Sequence, residues 1–219
     1  MRKILLVSYC EKEDIDYLKK IYKRGDILVA VDQGCKQLIE AGLFPHYIVG
    51  DFDSFTPPAD RAFTNALIRL EKEKEESDLD YAVNHIPVIL GSSFTRHPYE
   101  IIIINNMQGR LDHILSALYL LKSKKNISIQ SAKQKIFLIE RYLEIKLPLN
   151  TTISLIPISK EVSKVSTKGL YYPLFNETLY RNRTRGLSNI SIEKTVQIEF
   201  NNGELLCVIN NFSFSENIC

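Results

Sequence analysis

Tyr47-Ile48-Val49-Gly50-Asp51-Phe52-Asp53-Ser54 joins a short apolar run to two carboxylates two residues apart, with a hydroxyl beside them. Read as a buried strand that ends in acids, it is the third strand of a parallel α/β sheet. In an extended segment the side chains at i and i+2 point to one side. Asp51 and Asp53 are then expected to converge, while Phe52 turns into apolar packing. Two like charges held that close repel unless a cation or a proton sits between them. Magnesium suits such a pair, because it takes hard oxygen ligands and reaches protein through one or two carboxylates plus substrate phosphates. The plain alternative is a turn, since Gly, Asp and Ser are all common turn formers.

Upstream, residues 4–7 read as a buried strand. Residues 11–23 carry Ile15, Leu18, Ile21 and Tyr22 at helical spacing, and Gly25 ends that helix. Residues 27–31 form a second buried strand, closed by Asp32-Gln33-Gly34. Residues 35–41 are a short helix capped by Gly42. In sheets of this kind ligands bind outside the carboxyl ends of the strands. Asp32 and the Asp51/Asp53 pair are therefore expected to share one crevice. Asp32 can also serve as the N-cap of the following helix, whose start favours a bound phosphate.

Downstream, Pro57-Pro58 opens a helical stretch through Ala62, Phe63, Ala66, Leu67 and Leu70, which runs into the charged stretch at residues 71–76. Ser77-Asp78-Leu79-Asp80 reads as an N-cap with acids in the first turn. Residues 85–99 hold Pro87, Gly91 and Pro98 and are expected to be a loop or irregular insertion. Residues 101–104 make a fourth buried strand. It leads through Arg110, Asp112 and His113 into a helix marked by Ile114, Leu115, Leu118 and Leu121. An arginine suits planar, bidentate capture of phosphate oxygens. From about residue 126 the pattern becomes one of short strands, several alternating in period two as in Thr195-Val196-Gln197-Ile198-Glu199-Phe200. Asn202-Gly203 signals a hairpin. The expected architecture is a Rossmann-like, mostly parallel α/β sheet with helices over residues 1–130, followed by an antiparallel β-sandwich over 131–219.

Composition sets outer limits. Of 219 residues, 45% are hydrophobic and 25% charged, which is ordinary for a chain that buries a sizeable core. Lys and Arg number 28 against 26 for Asp and Glu, too even a balance for a surface that wraps nucleic acid. Cys10, Cys35, Cys207 and Cys219 are scattered, with neither disulfide nor zinc spacing, so reduced thiols in cytoplasm are expected. No stretch approaches a membrane span, and there is no Walker A loop and no Gly-x-Gly-x-x-Gly.

Acids at three separate strand ends or helix starts, with Arg110 beside one of them, suit metal-assisted phosphoryl chemistry. The grouping resembles the thiamine pyrophosphokinase family over most of the chain. Val31-Asp32-Gln33-Gly34-Cys35 is similar to that family's Ala-Asp-Gly-Gly-Ala segment, and residues 43–54 to its block ending Gly-Asp-Phe-Asp-Ser. Lys74-Glu75-Glu76-Ser77-Asp78 resembles Lys-Asp-x-Thr-Asp, and Gly109-Arg110-Leu111-Asp112-His113 the end of Gly-Gly-Arg-x-Asp-His. Gly169-Leu170-Tyr171-Tyr172-Pro173-Leu174 and Ser188-Asn189 resemble its Gly-Leu-x-Tyr-Pro-Leu and Ser-Asn segments.

The resemblance implies transfer of diphosphate from ATP to the hydroxyl of thiamine, with release of AMP. It implies that Asp51, Asp53 and Asp78 hold Mg2+ against the phosphates and that Arg110 clamps phosphate oxygens. Asp32, Gly34, Ser54, Lys74 and Asp112 would join Arg110 around ATP. Ser188 and Asn189 would approach thiamine, at a site built across a homodimer interface. Gln33 and Gln108 stand where the family has glycine, Ala117 where many members have Asn, and Glu75 where it has Asp. With no Trp in the chain, any aromatic contact to thiamine falls to Tyr or Phe. Two other readings stay open: a diphosphokinase for another hydroxymethyl heterocycle such as a pterin, and a non-catalytic sensor of thiamine diphosphate or nucleotide.

Overall fold

A computed structural model describes residues 1–8, 10–52, 67–105 and 110–210. The chain divides into two compact units, Met1–Ala132 and Lys133–Cys219.

The first unit is built on parallel strands: β1 (Arg2–Val7), β2 (Ile27–Val31), β3 (Tyr47–Gly50), β4 (Leu67–Arg69), β5 (Tyr99–Ile104) and β6 (Ile127–Gln130). Their order across the sheet is β6-β5-β1-β2-β3-β4, every neighbouring pair parallel. A parallel strand covered on both faces has no solvent side, which is why β1 and β5 read as unbroken aliphatic runs. Leu5, Val7, Leu28, Ala30, Ile48, Ile102 and Ile104 form one core with Leu18 of helix α1 (Lys12–Ile21) and Leu38 of α2 (Gly34–Glu40). Helix α3 (Asp78–Leu90) packs over β1, β2 and β3, burying Ala82, Val83, Ile86 and Pro87. A short α4 (Ser92–Thr95) follows, and α5 (Leu111–Leu120) comes after β5.

Several local expectations need correction. Residues 85–99 are not an irregular insertion. Helix α3 continues through Pro87 to Leu90 and stops at Gly91, whose φ is +68°. Burial of Ile86 and Pro87 on the sheet outweighs the lost proline donor. Leu67, assigned from its spacing to a helix, lies instead in β4, where Leu67 pairs with Ile48. Edge pairing onto β3 overrides a weak helical spacing. The earlier part of that stretch, residues 57–66, lies outside the described residues.

The second unit holds β7 (Gln134–Ile139), β8 (Tyr142–Lys146), β9 (Thr152–Pro157), β10 (Glu161–Lys168), β11 (Glu177–Tyr180), β12 (Asn189–Ile190), β13 (Thr195–Glu199) and β14 (Leu205–Asn210). These form two antiparallel sheets, β12-β9-β14-β7 and β11-β10-β13-β8. Alternation supplies the inner layer. Val196 and Ile198 from one sheet meet Leu205, Cys207 and Ile209 from the other in a single core, as in a sandwich. Asn202-Gly203 does not close a hairpin between its flanking strands. β13 pairs with β8 and β10, and β14 with β7 and β9, so the turn carries the chain from one sheet to the other.

Candidate active site

Parallel strands end together, so the residues that follow them gather at one edge. Val31 is paired with Val49, which puts Asp32 and Gly50-Asp51 side by side. The Asp32 N–H donates to Val49 O at 2.9 Å, and the Asp32 carbonyl accepts from Cys35 N at 3.2 Å. Asp32 has φ +48°, a left-handed conformation that costs a non-glycine residue energy and concentrates at functional sites. It is not the helix N-cap: Gln33 holds that position, with no side-chain cap. Gly34 opens α2 against the end of β1. A Cβ there would lie 2.0 Å from Val7 O, so only glycine lets the helix start this close to the strand.

The segment after β3 leaves extended geometry at once. Phe52 has φ +58°, so the extended geometry of β3 does not continue through it. Phe52 does turn into apolar packing, with the Arg69 guanidinium 5.4 Å from its ring centre. Asp53 and Ser54 lie outside the described residues.

The strand order reverses at β1, between β5 and β2, and such a switch point is where open α/β sheets bind ligands. Two residues that sequence reasoning passed over meet there. Asn105 Nδ2 donates to Ser8 Oγ at 3.1 Å, linking the ends of β5 and β1. Next to them, the Gln37 amide accepts from Cys10 N at 3.2 Å and donates to Cys10 O, fixing the loop after β1 to α2. The signal available in the sequence was position alone: each follows a buried strand.

Asp78 begins α3, behind the Ser77 N-cap whose Oγ accepts from Asp80 N at 3.2 Å. Lys74 Nζ sits 2.8 Å from Asp78 Oδ1, and both side chains are largely covered. That oxygen is itself buried and accepts no hydrogen bond of good geometry. The ammonium, at an ordinary charge-assisted distance, balances the charge on that oxygen. Nearby, Asp80 accepts from Asn84 Nδ2 at 2.7 Å, and burial pushes its carboxyl up from the ordinary range.

Arg110 and Asp112 form an exposed bidentate pair, with Nε to Oδ1 at 3.2 Å and an outer nitrogen to Oδ2 at 2.6 Å. That hydrogen bonding holds the Asp112 carboxyl down at about 2. Part of the Arg110 fork is therefore already engaged by Asp112. The sequence-derived residues of this unit thus come together as three couples: Asp32 with the Asp51 segment, Lys74 with Asp78, and Arg110 with Asp112. Among the described residues, no group of three or more His, Cys, Asp or Glu is gathered to hold a metal.

In the second unit, a pocket of about 320 Å³ is lined by Tyr172, Leu174, Thr184, Arg185, Leu187 and Asn189, with Gly186 at its wall. The wall is fastened to β9: Leu155 N donates to Gly186 O at 2.9 Å, and Ser188 N to Ser154 Oγ at 3.0 Å. Gly186 has φ +99°, and a Cβ on it would meet Leu155 O at 2.7 Å. Asn189 is buried, and its amide is spent on backbone. Oδ1 accepts from Tyr172 N and Ile190 N, and Nδ2 donates to Tyr172 O at 2.7 Å. Ser188 beside it is exposed, with φ +53°. Tyr172 meets Tyr171 edge-on at 4.8 Å. Arg185 is held by Glu177 through a bidentate pair at 2.9 and 3.0 Å.

Residues 18–131 match the thiamin pyrophosphokinase catalytic domain, and residues 138–205 match the thiamin pyrophosphokinase vitamin B1 binding domain. The chain belongs to the thiamin pyrophosphokinase family. It is 29% identical over 217 residues to the thiamine pyrophosphokinase of Bacillus subtilis, spanning 95% of this chain and 98% of that one. The crystal structure of a thiamine pyrophosphokinase from Bacillus subtilis superposes with a TM-score of 0.79 at 25% identity, covering 96% of this chain and 99% of that chain. The yeast thiamin pyrophosphokinase structure shares the fold, with a TM-score of 0.79 at 16% identity, over 96% of this chain and 86% of that chain. Both halves of the thiamin pyrophosphokinase architecture are thus present, in order, in one chain.

Proposed function

We propose that this chain transfers the terminal diphosphate of ATP to the hydroxyl of thiamine, forming thiamine diphosphate and AMP. The observation that carries the reading is the ordered match of a catalytic and a vitamin B1 binding domain along a single chain. The geometry agrees with it. Acids stand at the carboxyl edge of a parallel sheet, and the second unit offers a pocket with an aromatic rim.

In this reading Asp51, Asp53 and Asp78 hold Mg2+. The donors are hard carboxylate oxygens, and the buried Asp78 Oδ1 already faces one cation, the Lys74 ammonium at 2.8 Å. When bound, the ion neutralises charge on the phosphates. Arg110 contributes the guanidinium nitrogens left over from its bond to Asp112. Asp32, Gly34, Ser54, Lys74 and Asp112 line the nucleotide. The thiamine hydroxyl oxygen attacks the β-phosphorus and gives up its proton to solvent, while the bond from that phosphorus to the oxygen bridging it to the α-phosphate breaks and AMP leaves with that oxygen. The protein acts by positioning and electrostatics rather than through a covalent intermediate.

Ser188 presents its hydroxyl to thiamine. Asn189 acts behind it, by holding the Tyr172 and Ile190 backbone in place. Tyr172 supplies the aromatic surface that no Trp can. We further place this enzyme in the cytoplasm as a homodimer with the thiamine site at the interface. Buried, unbridged Cys10, Cys35 and Cys207 suit a reducing compartment, and no described helix is long and apolar enough to cross a membrane.

The test is to incubate the protein with ATP, Mg2+ and either thiamine or a pterin alcohol, and to measure AMP. Thiamine-dependent AMP is expected. AMP only with the pterin alcohol would favour the neighbouring diphosphokinase reading, and tight thiamine diphosphate binding without turnover would favour a sensor.

A further inference from the structure

We infer that Lys74 is an internal counter-ion that holds the Asp78 carboxylate in the metal-free protein and competes with the divalent cation for it. The inference rests on the reading of Asp78 as a metal ligand.

The charged stretch at residues 71–76 looks from sequence like a solvated face, but its members differ. Glu71, Lys72, Glu73 and Glu75 are exposed, whereas the Lys74 side chain is only 21% exposed. Lys74 precedes the first turn of α3, so its contact with Asp78 is not a helical i,i+4 pair. Its ammonium is fixed from two sides, by Asp78 Oδ1 at 2.8 Å and by the Glu71 carbonyl at 3.1 Å. The partner oxygen is buried and accepts no hydrogen bond of good geometry. A buried carboxylate oxygen left in that state is costly unless a charge lies against it. Lys74 supplies that charge.

A divalent cation would bind the same oxygen at about 2.1 Å. An ammonium 2.8 Å from that oxygen would then stand within a few ångströms of the ion, and like charges that close repel. The two occupants therefore exclude one another. Cation entry releases Lys74, whose charge becomes available to phosphate oxygens arriving with the metal. Other charges nearby are already engaged: Glu76 with His85, and Asp80 with Asn84.

The apparent affinity for a cation falls by the fraction of molecules whose site is free. If about nine in ten molecules hold the ion pair, removing the lysine charge tightens binding roughly tenfold. The experiment measures Mn2+ binding without nucleotide, by electron paramagnetic resonance, in the wild type and in Lys74→Met, Lys74→Arg and Asp78→Asn. Lys74→Met is expected to bind about tenfold tighter than wild type and to gain more thermal stability from the ion. Lys74→Arg should stay near wild type, and Asp78→Asn should weaken binding. If Lys74→Met does not fold, Lys74→Gln makes the same comparison, because it also removes the charge. Unchanged affinity in the neutral variant, with Asp78→Asn still weakening binding, overturns the counter-ion role and leaves the metal reading standing. Unchanged affinity in Asp78→Asn overturns both.

Discussion

Asn189 shows how a residue named by a motif can work through its neighbours. The Ser188-Asn189 pair points to substrate, yet the Asn189 amide is consumed by the backbone of Tyr172 and Ile190. Asn189→Ala leaves those groups without partners and is expected to cost about 2–3 kcal/mol in urea unfolding, with a higher KM for thiamine as a consequence. A higher KM with unchanged stability would mean that the side chain touches substrate directly. Tyr172→Ala should raise the KM for thiamine roughly tenfold while leaving that for ATP near wild type, because it removes aromatic surface from the pocket alone. Steady-state kinetics with each substrate varied in turn separates the two. Gly34 is a different case. Its role in the sequence reading was nucleotide contact, and the structure adds a steric reason, the 2.0 Å approach to Val7 O. Gly34→Ala should therefore lower stability by about 3 kcal/mol even with no ligand present, measured by thermal unfolding.

Helices and strands were legible where one local signal dominated. Aliphatic runs marked β1, β2, β3 and β5, because a strand buried on both faces leaves no polar positions. The start of α3 was legible from Ser77, whose hydroxyl does cap the helix. Ser77→Ala should cost about 1 kcal/mol, checked by chemical denaturation. The end of α3 was not legible. Pro87 signals a break, and only the sheet beneath it shows why the helix continues. β4 was hidden for a similar reason, since its three residues are strand only because β3 offers an edge. The acid pair was singled out by residue type, and of its two members only Asp51 lies among the described residues. The left-handed φ of Phe52 is a property of the folded turn that strand alternation does not contain.

At the scale of the molecule, two separately packed cores protect the three described cysteines. Cys10 and Cys35 lie in the first unit and Cys207 in the second, all buried. Burial pushes their thiols up to about 12, about 11 and about 12 respectively, from an ordinary 9.0. All three should resist alkylation at pH 8.5 in the native protein and react fully in denaturant, as read by peptide mass spectrometry. Unfolded thiols ionise near 9 while the buried ones stay protonated until about 11–12, so stability falls as pH rises through that window. Domain order was legible because the sequence changes period near residue 126, from buried runs with helices to alternating strands. The crossing between sheets at Asn202-Gly203 was not, since a turn signal says nothing about which strand pairs with which.

The most direct measurement is AMP formation by the wild type and by the Asp51→Asn/Asp53→Asn double variant, with ATP, Mg2+ and thiamine. The expected result is thiamine-dependent AMP from the wild type and a loss of at least about 100-fold in kcat in a double variant that still folds. Full AMP-forming activity in that variant would contradict the account.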